Sequence, residues 1–185
     1  MPTEKILLRY THALVEKTNR YKDALKKEII RPDDAYILAV NCRAIPHAPY
    51  GNTMTYYIQA YLPFGPYAVS IDTNTGDIVE SFYQYREAIS KLNSANIPTT
   101  AFLDTEFGCV SAIINSAVDC VNRPNDLGGD FTLLHNPKAS QRIDDSILDW
   151  CKQYSLSGNG LVTREPNMVP RPTPKSSAAE HRCYV

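Results

Sequence analysis

The segment 35–41, with the sequence AYILAVN, constrains the fold most, because it is apolar along almost its whole length. A strand of this kind avoids water on both faces and belongs in a sheet that other elements cover. We therefore expect a buried strand here, in a position compatible with the centre of a sheet.

A long amphipathic helix is predicted before this strand. Thr3 can cap the helix and Pro32 ends it. Lys17 fills the one seven-residue gap in the apolar stripe, where its stem can cross the core while its ammonium group reaches water. The stripe itself recurs at steps of three or four residues, at Leu7, Tyr10, Leu14, Tyr21 and Leu25.

The remaining pattern predicts further strands and helices. The runs 67–72 and 77–81 flank the sequence TNTG and predict a hairpin. Strands are predicted at 101–104, 110–116 and 131–135, the second of which could be helical by periodicity alone, and helices at 53–62 and 144–154. This order indicates an α/β protein, with α+β as the alternative, in which helices pack on a mixed sheet.

The composition changes after Tyr154. Residues 155–185 contain four of the prolines, with Ser, Gly and few large apolar groups. Such a composition cannot offset the entropy lost on ordering the chain. We therefore assign residues 1–154 to a single domain and expect residues 155–185 to form a flexible, disordered tail.

Charge is unevenly distributed along the chain. The formal net charge of −1 excludes a strongly basic nucleic-acid-binding protein. Residues 1–31 carry eight Lys and Arg against four Asp and Glu, whereas residues 32–154 carry seven against fourteen. The first helix is therefore basic, and its charged face is either simply solvated or directed at an anion or a partner. The residues of this candidate basic face are Lys17, Lys22, Lys26 and Lys27.

The five cysteines and the N-terminus indicate a cytoplasmic protein. The cysteines are odd in number and widely spaced, so reduced thiols are expected. The first residues lack the apolar stretch of a signal peptide, and no apolar run is long enough to span a membrane. Because the four histidines are far apart and no Cys-x2-Cys pair or phosphate-binding glycine loop occurs, we expect no metal and no cofactor.

Polar residues recur where the predicted strands end. Such side chains can line a crevice at one edge of a sheet, where ligands of α/β proteins bind. They can equally satisfy the backbone of local turns through hydrogen bonds. Together with His47 from a proline-rich loop, they form the candidate pocket: Asn41, His47, Asp72, Ser116, His135 and Asn136.

Three stretches carry a resemblance to a known group: KTNRYKDALKKEIIRPDDAYILAVN, LPFGPYAVSIDTNTGDIVE and FGCVSAIINSAVDCVNRPNDLGGDFTLLHNPKA. Together they resemble the C-terminal half of poorly characterised bacterial proteins, some of which look like PD-(D/E)xK nucleases. The resemblance implies that a basic helix and a buried strand follow the catalytic strand, whose half of the protein would lie before Met1.

The catalytic motif of such a nuclease is missing. Its chemistry needs an acidic residue two positions before a lysine, to hold a divalent metal and activate water. None of the nine lysines has an acidic residue at that position. We therefore favour a non-catalytic interaction or accessory protein with a protein partner; a nucleic-acid partner is not favoured, and no membrane is involved. The alternative is a small cytosolic enzyme or ligand-binding protein that uses the strand ends.

Overall fold

The N-terminal helix sets the first layer of the fold. The structure is a computed structural model that describes residues 3–48, 54–91, 95–119, 129–158 and 160–167. Helix α1 spans Thr3–Lys26, which confirms the predicted helix. Its buried stripe passes through Thr18, which is 2% exposed, whereas Lys17 is only half-buried beside it. The prediction that Lys17 lies on the apolar stripe is therefore wrong by one position.

In the described residues, nine strands follow α1, and five of them form the main sheet. The strands are β1 (Ile37–Asn41), β2 (Phe64–Ile71), β3 (Ile78–Tyr85), β4 (Ala88–Ser90), β5 (Asn96–Pro98), β6 (Ala112–Ser116), β7 (Phe131–His135), β8 (Lys152–Ser157) and β9 (Gly160–Arg164). The main sheet has the order β1-β6-β7-β8-β9, and two pairs, β2-β3 and β4-β5, form separate small sheets. Strands β1 and β6, and β7 and β8, run parallel, and the other neighbours run antiparallel. The predicted α/β fold with a mixed sheet is confirmed.

The strand β1 lies at the edge of this sheet and not at its centre. Among the described strands it pairs with β6 alone, and only Leu38 of its five residues is buried. The neighbouring β6 is the strand buried on both faces, with four of its five residues buried. The unbroken apolar run at β1 correctly predicted a strand. One face of this strand is covered by α1, and no described strand lies on its outer side.

Two hydrophobic layers lie on opposite faces of the sheet. Side chains alternate between the faces of a strand, so Ile113 and Leu134 enter one layer and Ala112 and Leu133 the other. The larger layer packs beneath α1 and the short helix α2 (Tyr56–Tyr61). Its aromatic side chains interlock, and the Tyr61 hydroxyl donates to the Tyr10 carbonyl over 3.1 Å.

Three of the other predicted elements are confirmed and two are wrong. The strands at 110–116 and 131–135 are found as β6 and β7, and the TNTG hairpin as β2 and β3. The segment 101–104 forms a single 3₁₀ turn, Ala101–Leu103, and not a strand. The segment 144–154 forms turns that lead into β8, because the Gln153 amide donates to three of its carbonyls and replaces helical hydrogen bonds. The predicted helix at 53–62 is shorter, with Thr55 at its N-cap.

The predicted domain boundary after Tyr154 is also wrong. The β8-β9 hairpin crosses it and completes the main sheet, with Leu156 opposite Leu161. Both leucines are half-buried against the larger core layer. The turn between them uses Gly158 with a φ of 58°, which favours glycine. The composition suggested a tail because it is rich in Ser and Gly, but here such residues form a hairpin of the main sheet. Residues 168–185 lie outside the described residues.

Candidate functional site

The polar residues at the strand ends do not meet in one pocket. Asn41 and Ser116 lie opposite each other at one end of the strands of the main sheet. Because β7 runs antiparallel to β6, His135 lies opposite Ala112 and therefore at the other end of these strands. Asp72 belongs to the turn of the separate β2-β3 hairpin, and the exposed His47 lies in a turn with a φ of 66°. The hypothesis of a shared pocket is therefore wrong for this set.

Four of these side chains instead complete local turns. Each accepts a hydrogen bond from the backbone N–H two residues further on, which is the geometry of Asx and related turns. The pairs are Asn41 with Arg43 at 2.9 Å, Asp72 with Asn74 at 2.7 Å, Ser116 with Val118 at 3.4 Å and Asn136 with Lys138 at 2.9 Å. Turn chemistry thus accounts for their recurrence at strand ends.

His135 has a different environment. Its Nε2 lies 2.7 Å from Oε1 of Gln153 and 3.8 Å from Oδ1 of Asp145. Because the Gln153 amide nitrogen donates to backbone carbonyls, its oxygen faces His135 as an acceptor. His135 therefore carries its hydrogen on Nε2, as assigned from this network.

A small cavity of about 180 Å³ adjoins His135. Ser111 and Asn136 line it, but both are fully buried and already bonded. Ser111 Oγ accepts from the Tyr36 backbone N–H over 3.0 Å, and the Asn136 amide donates to Val110 over 2.8 Å. These groups stabilise loops around β7, and among the described residues that line the cavity no hydroxyl or thiol is hydrogen-bonded to a base.

The four lysines of the candidate basic face do not share one face. Lys17 and Lys22 are five positions apart, which is about 140° around the helix. Lys27 follows the last residue of α1, and Lys26 lies 3.9 Å from Asp23. Lys22 and Lys26, four residues apart, are therefore the neighbouring pair on one flank of α1.

The most distinctive surface is the β2-β3 hairpin, which we call the arm (residues 64–85). It pairs with no other strand of the described chain. Of the eleven large apolar side chains that are exposed in the described residues, seven belong to the arm. Both faces of the ribbon contribute to this set, which consists of Tyr67, Val69, Ile71, Ile78, Val79, Phe82 and Tyr85.

The base of the arm is anchored on the body. Arg86 directly follows β3, and its Nη2 donates to the carbonyls of Gln59 at 2.9 Å and Phe64 at 3.2 Å. Burial lowers the pKa of this guanidinium group, and the carboxylate of Glu4 opposes the shift. Gly65 permits the close approach of the two strands, because a Cβ there would lie 2.8 Å from the Gln84 carbonyl oxygen.

The arm carries only negative charge. Residues 64–85 contain Asp72, Asp77 and Glu80 but no Lys, Arg or His. None of the three forms an ion pair with another described residue. The tip is a tight turn in which Gly76 has a φ of 78° and donates to the Asp72 carbonyl over 2.8 Å. The turn sequence TNTG predicts this hairpin, but no local pattern indicates that its apolar side chains are exposed.

A cleft of about 570 Å³ separates the arm from the main sheet. Phe82 and Tyr83 of the arm line one wall, and Tyr154 and Leu161 line the sheet side. The cation at its mouth, Lys152, is already 2.7 Å from Glu165, and this hydrogen bond raises the pKa of the lysine. The cleft thus gives access to the inner side of the arm but holds no unpaired basic group among its described residues.

Comparison with known proteins gives no relative. No family model, no curated protein and no solved structure matches the chain. Among the described residues, no three His, Cys, Asp or Glu side chains are placed to hold a metal ion. None of the described helices is both long and apolar enough to cross a membrane.

Proposed function

We propose that the protein is a non-catalytic interaction or accessory protein and that the arm is its docking element. The observation that carries this proposal is the concentration of exposed large apolar side chains on one two-stranded ribbon. Contiguous exposed apolar surface on a monomer marks an interaction site far more often than scattered single residues do.

The backbone of the arm supports the same proposal. An isolated two-stranded hairpin is marginally stable in water, so further contacts with a partner would stabilise it. Its outer edges leave backbone N–H and C=O groups open for an added strand. The strand β3 contains neither Pro nor Gly, whereas β2 contains Pro66, which lacks a donor. We infer that β3 is the better edge for pairing.

The charge of the arm favours a protein partner. Its carboxylates repel the phosphates of nucleic acids and anionic lipid surfaces. The acidic residues of the body act in the same direction. A protein surface that combines apolar and basic side chains would instead match the arm in both respects.

The non-catalytic character rests on two observations. The acidic residue two positions before a lysine, which a PD-(D/E)xK nuclease needs, is missing from all nine lysines. The polar residues that the alternative enzyme would use lie at both ends of the main-sheet strands and not at one. We propose a nuclease-like accessory protein of the bacterial cytoplasm, where its thiols, including the free Cys42, Cys109 and Cys151, would stay reduced.

The experiment is a native co-purification that compares a triple substitution in the arm with a double substitution outside it. The arm variant Val79→Ser, Phe82→Ser and Tyr85→Ser removes exposed apolar groups from β3. The control variant Ile147→Ser and Val162→Ser changes side chains that are similarly exposed, both 49%, outside the arm. We expect partner recovery with the wild type and the control and its loss with the arm variant, at unchanged circular dichroism. Equal recovery with the arm variant would contradict the proposal.

A further inference from the structure

We propose that the arm docks on helix α1 of a second copy of this chain, so that two copies exchange arms reciprocally in a symmetric dimer. This inference rests on the proposed function of the arm and names its partner. The arm is acidic and apolar, and the flank of α1 described below is basic and apolar.

The receiving surface is a stripe on α1, which we call the basic stripe (Val15, Lys22 and Lys26). The spacings of seven and four residues place these side chains within about 40° of one another on the helix. Val15 is 45% exposed. Lys22 has no ion pair among the described residues, and Lys26 has only a distant one, at 3.9 Å from Asp23. The exposed Ile29 extends the apolar part just beyond the helix.

The arm presents the complementary groups. Val79 and Ile78 are about 70% exposed near the tip, between Asp77 and Glu80. The arm thus offers apolar side chains together with carboxylates, which complement the apolar and basic groups of the basic stripe. Residues 32–154 of a second copy are less favourable for the arm, because they carry twice as many acidic as basic residues. Residues 1–31, which contain the N-terminal helix, carry eight basic against four acidic residues and so attract it.

Direct pairing of two arms fits less well. Two β3 edges in contact would bring together two ribbons that each carry three carboxylates and no basic residue. Such like-charge contacts are unfavourable at an interface. Docking on the basic stripe removes this repulsion and replaces it with attraction.

The available area is sufficient for a dimer. The three exposed aromatic side chains of the arm offer about 150–250 Å² each, its four exposed aliphatic side chains add to this area, and all seven are about half exposed. Covering half of the arm at two symmetric contacts, with the matching helix surface, would bury roughly 1,400 Å², which lies within the range of stable interfaces. A closed two-fold pair uses every arm and leaves no open end for filament growth.

The test is sedimentation velocity on the full chain with charge-reversed variants. We expect the wild type to form a dimer that weakens as salt rises, because screening reduces attraction between exposed charges. The stripe variant Lys22→Glu and Lys26→Glu, and the arm variant Asp77→Lys and Glu80→Lys, should each dimerise at least about tenfold more weakly. Lys5→Glu and Arg9→Glu, an equal charge change at exposed positions of the same helix, is the matched control and should dimerise as the wild type does.

Mixing the two charge-reversed variants is the decisive part of the experiment. In a mixed dimer, the reversed stripe of one variant meets the reversed arm of the other at one contact, and the unchanged arm meets the unchanged stripe at the second contact. Both contacts are then attractive, so a mixed dimer should form. A wild type that stays monomeric up to about 0.5 mM, which means a free energy weaker than about −4.5 kcal/mol, would overturn the inference. A dimer indifferent to both reversals, or no mixed dimer, would overturn it too. In either case, arm-dependent recovery of another protein would leave the proposed function standing.

Discussion

Arg86 Nη2 donates to the backbone carbonyl of Gln59 over 2.9 Å, and this bond ties the end of β3 to helix α2. Hydrogen bonds from charged groups contribute about 1.5–3 kcal/mol each. We expect Arg86→Met to lower the free energy of unfolding by about 2 kcal/mol and to speed amide exchange along the arm. Denaturant unfolding and hydrogen exchange measure both effects.

The control for this change is Arg20→Met. Arg20 pairs with Glu16 on the exposed side of α1, and exposed pairs contribute about 0–1 kcal/mol. An Arg86 variant that is no less stable than the Arg20 variant would show that the arm does not depend on this anchor.

Thr18 offers a stabilising substitution. Its buried hydroxyl has no hydrogen-bond partner among the described residues, and such a group costs about 1–3 kcal/mol. Thr18→Val keeps the shape and should raise the free energy of unfolding by about 1 kcal/mol. Thr11 is equally buried in α1, but its hydroxyl donates to the Leu8 carbonyl over 3.1 Å, so Thr11→Val should lower stability. Equal effects of the two changes in urea unfolding would contradict this assignment.

Stability should fall at alkaline pH. Burial raises the pKa of Cys151 from its ordinary 9.0 to about 11. Above pH 9 the unfolded chain loses this proton while the folded chain keeps it, so the free energy of unfolding falls as pH rises through this window. Burial also raises the pKa values of Tyr10, Tyr57 and Tyr61, which extends the fall above pH 10.

Urea unfolding between pH 8 and pH 11 measures this dependence. Cys151→Ala should reduce the slope between pH 9 and pH 10, whatever its effect on stability at pH 8. An unchanged slope in that variant would exclude the thiol as a cause.

The β8-β9 hairpin should be essential for folding. A chain that ends after Tyr154 loses β9 and the second half of β8, and with them the half-buried Leu156 and Leu161. Removing two such side chains and a sheet edge should cost more than about 4 kcal/mol. Thermal unfolding by circular dichroism should show no cooperative transition. A chain ending after Asn167 is the control, and we expect it to unfold as the full chain does.

The purified protein should not cleave DNA or RNA with Mg²⁺ or Mn²⁺. The reason is that no lysine has an acidic residue two positions before it, without which this class of nuclease cannot hold its metal and activate water. Incubation with plasmid DNA and structured RNA, with and without EDTA, tests the prediction. EDTA-sensitive cleavage that follows the protein through successive purification steps would refute it.

Local patterns predicted the elements that local interactions specify. The periodicity of α1, the turn chemistry of the arm and the short apolar run of β7 are each visible within a few residues of the chain. The segment 144–154 failed because its helical pattern competes with the side chain of Gln153, which binds the loop carbonyls from β8. The boundary after Tyr154 failed because Leu156 and Leu161 gain their burial from a core that composition does not reveal.

The candidate pocket failed for a topological reason. Asn41, Ser116 and His135 each end a strand. The end of the sheet at which such a residue lies depends on whether its strand runs parallel or antiparallel to its neighbour. Sequence by itself determined most of the elements, the charge of the arm and the absent nuclease motif, because these are properties of neighbouring residues. Only the tertiary structure decided that β1 is an edge strand and that the arm exposes apolar side chains on both of its faces. Burial and strand direction depend on contacts between residues far apart in the chain, which no local pattern contains.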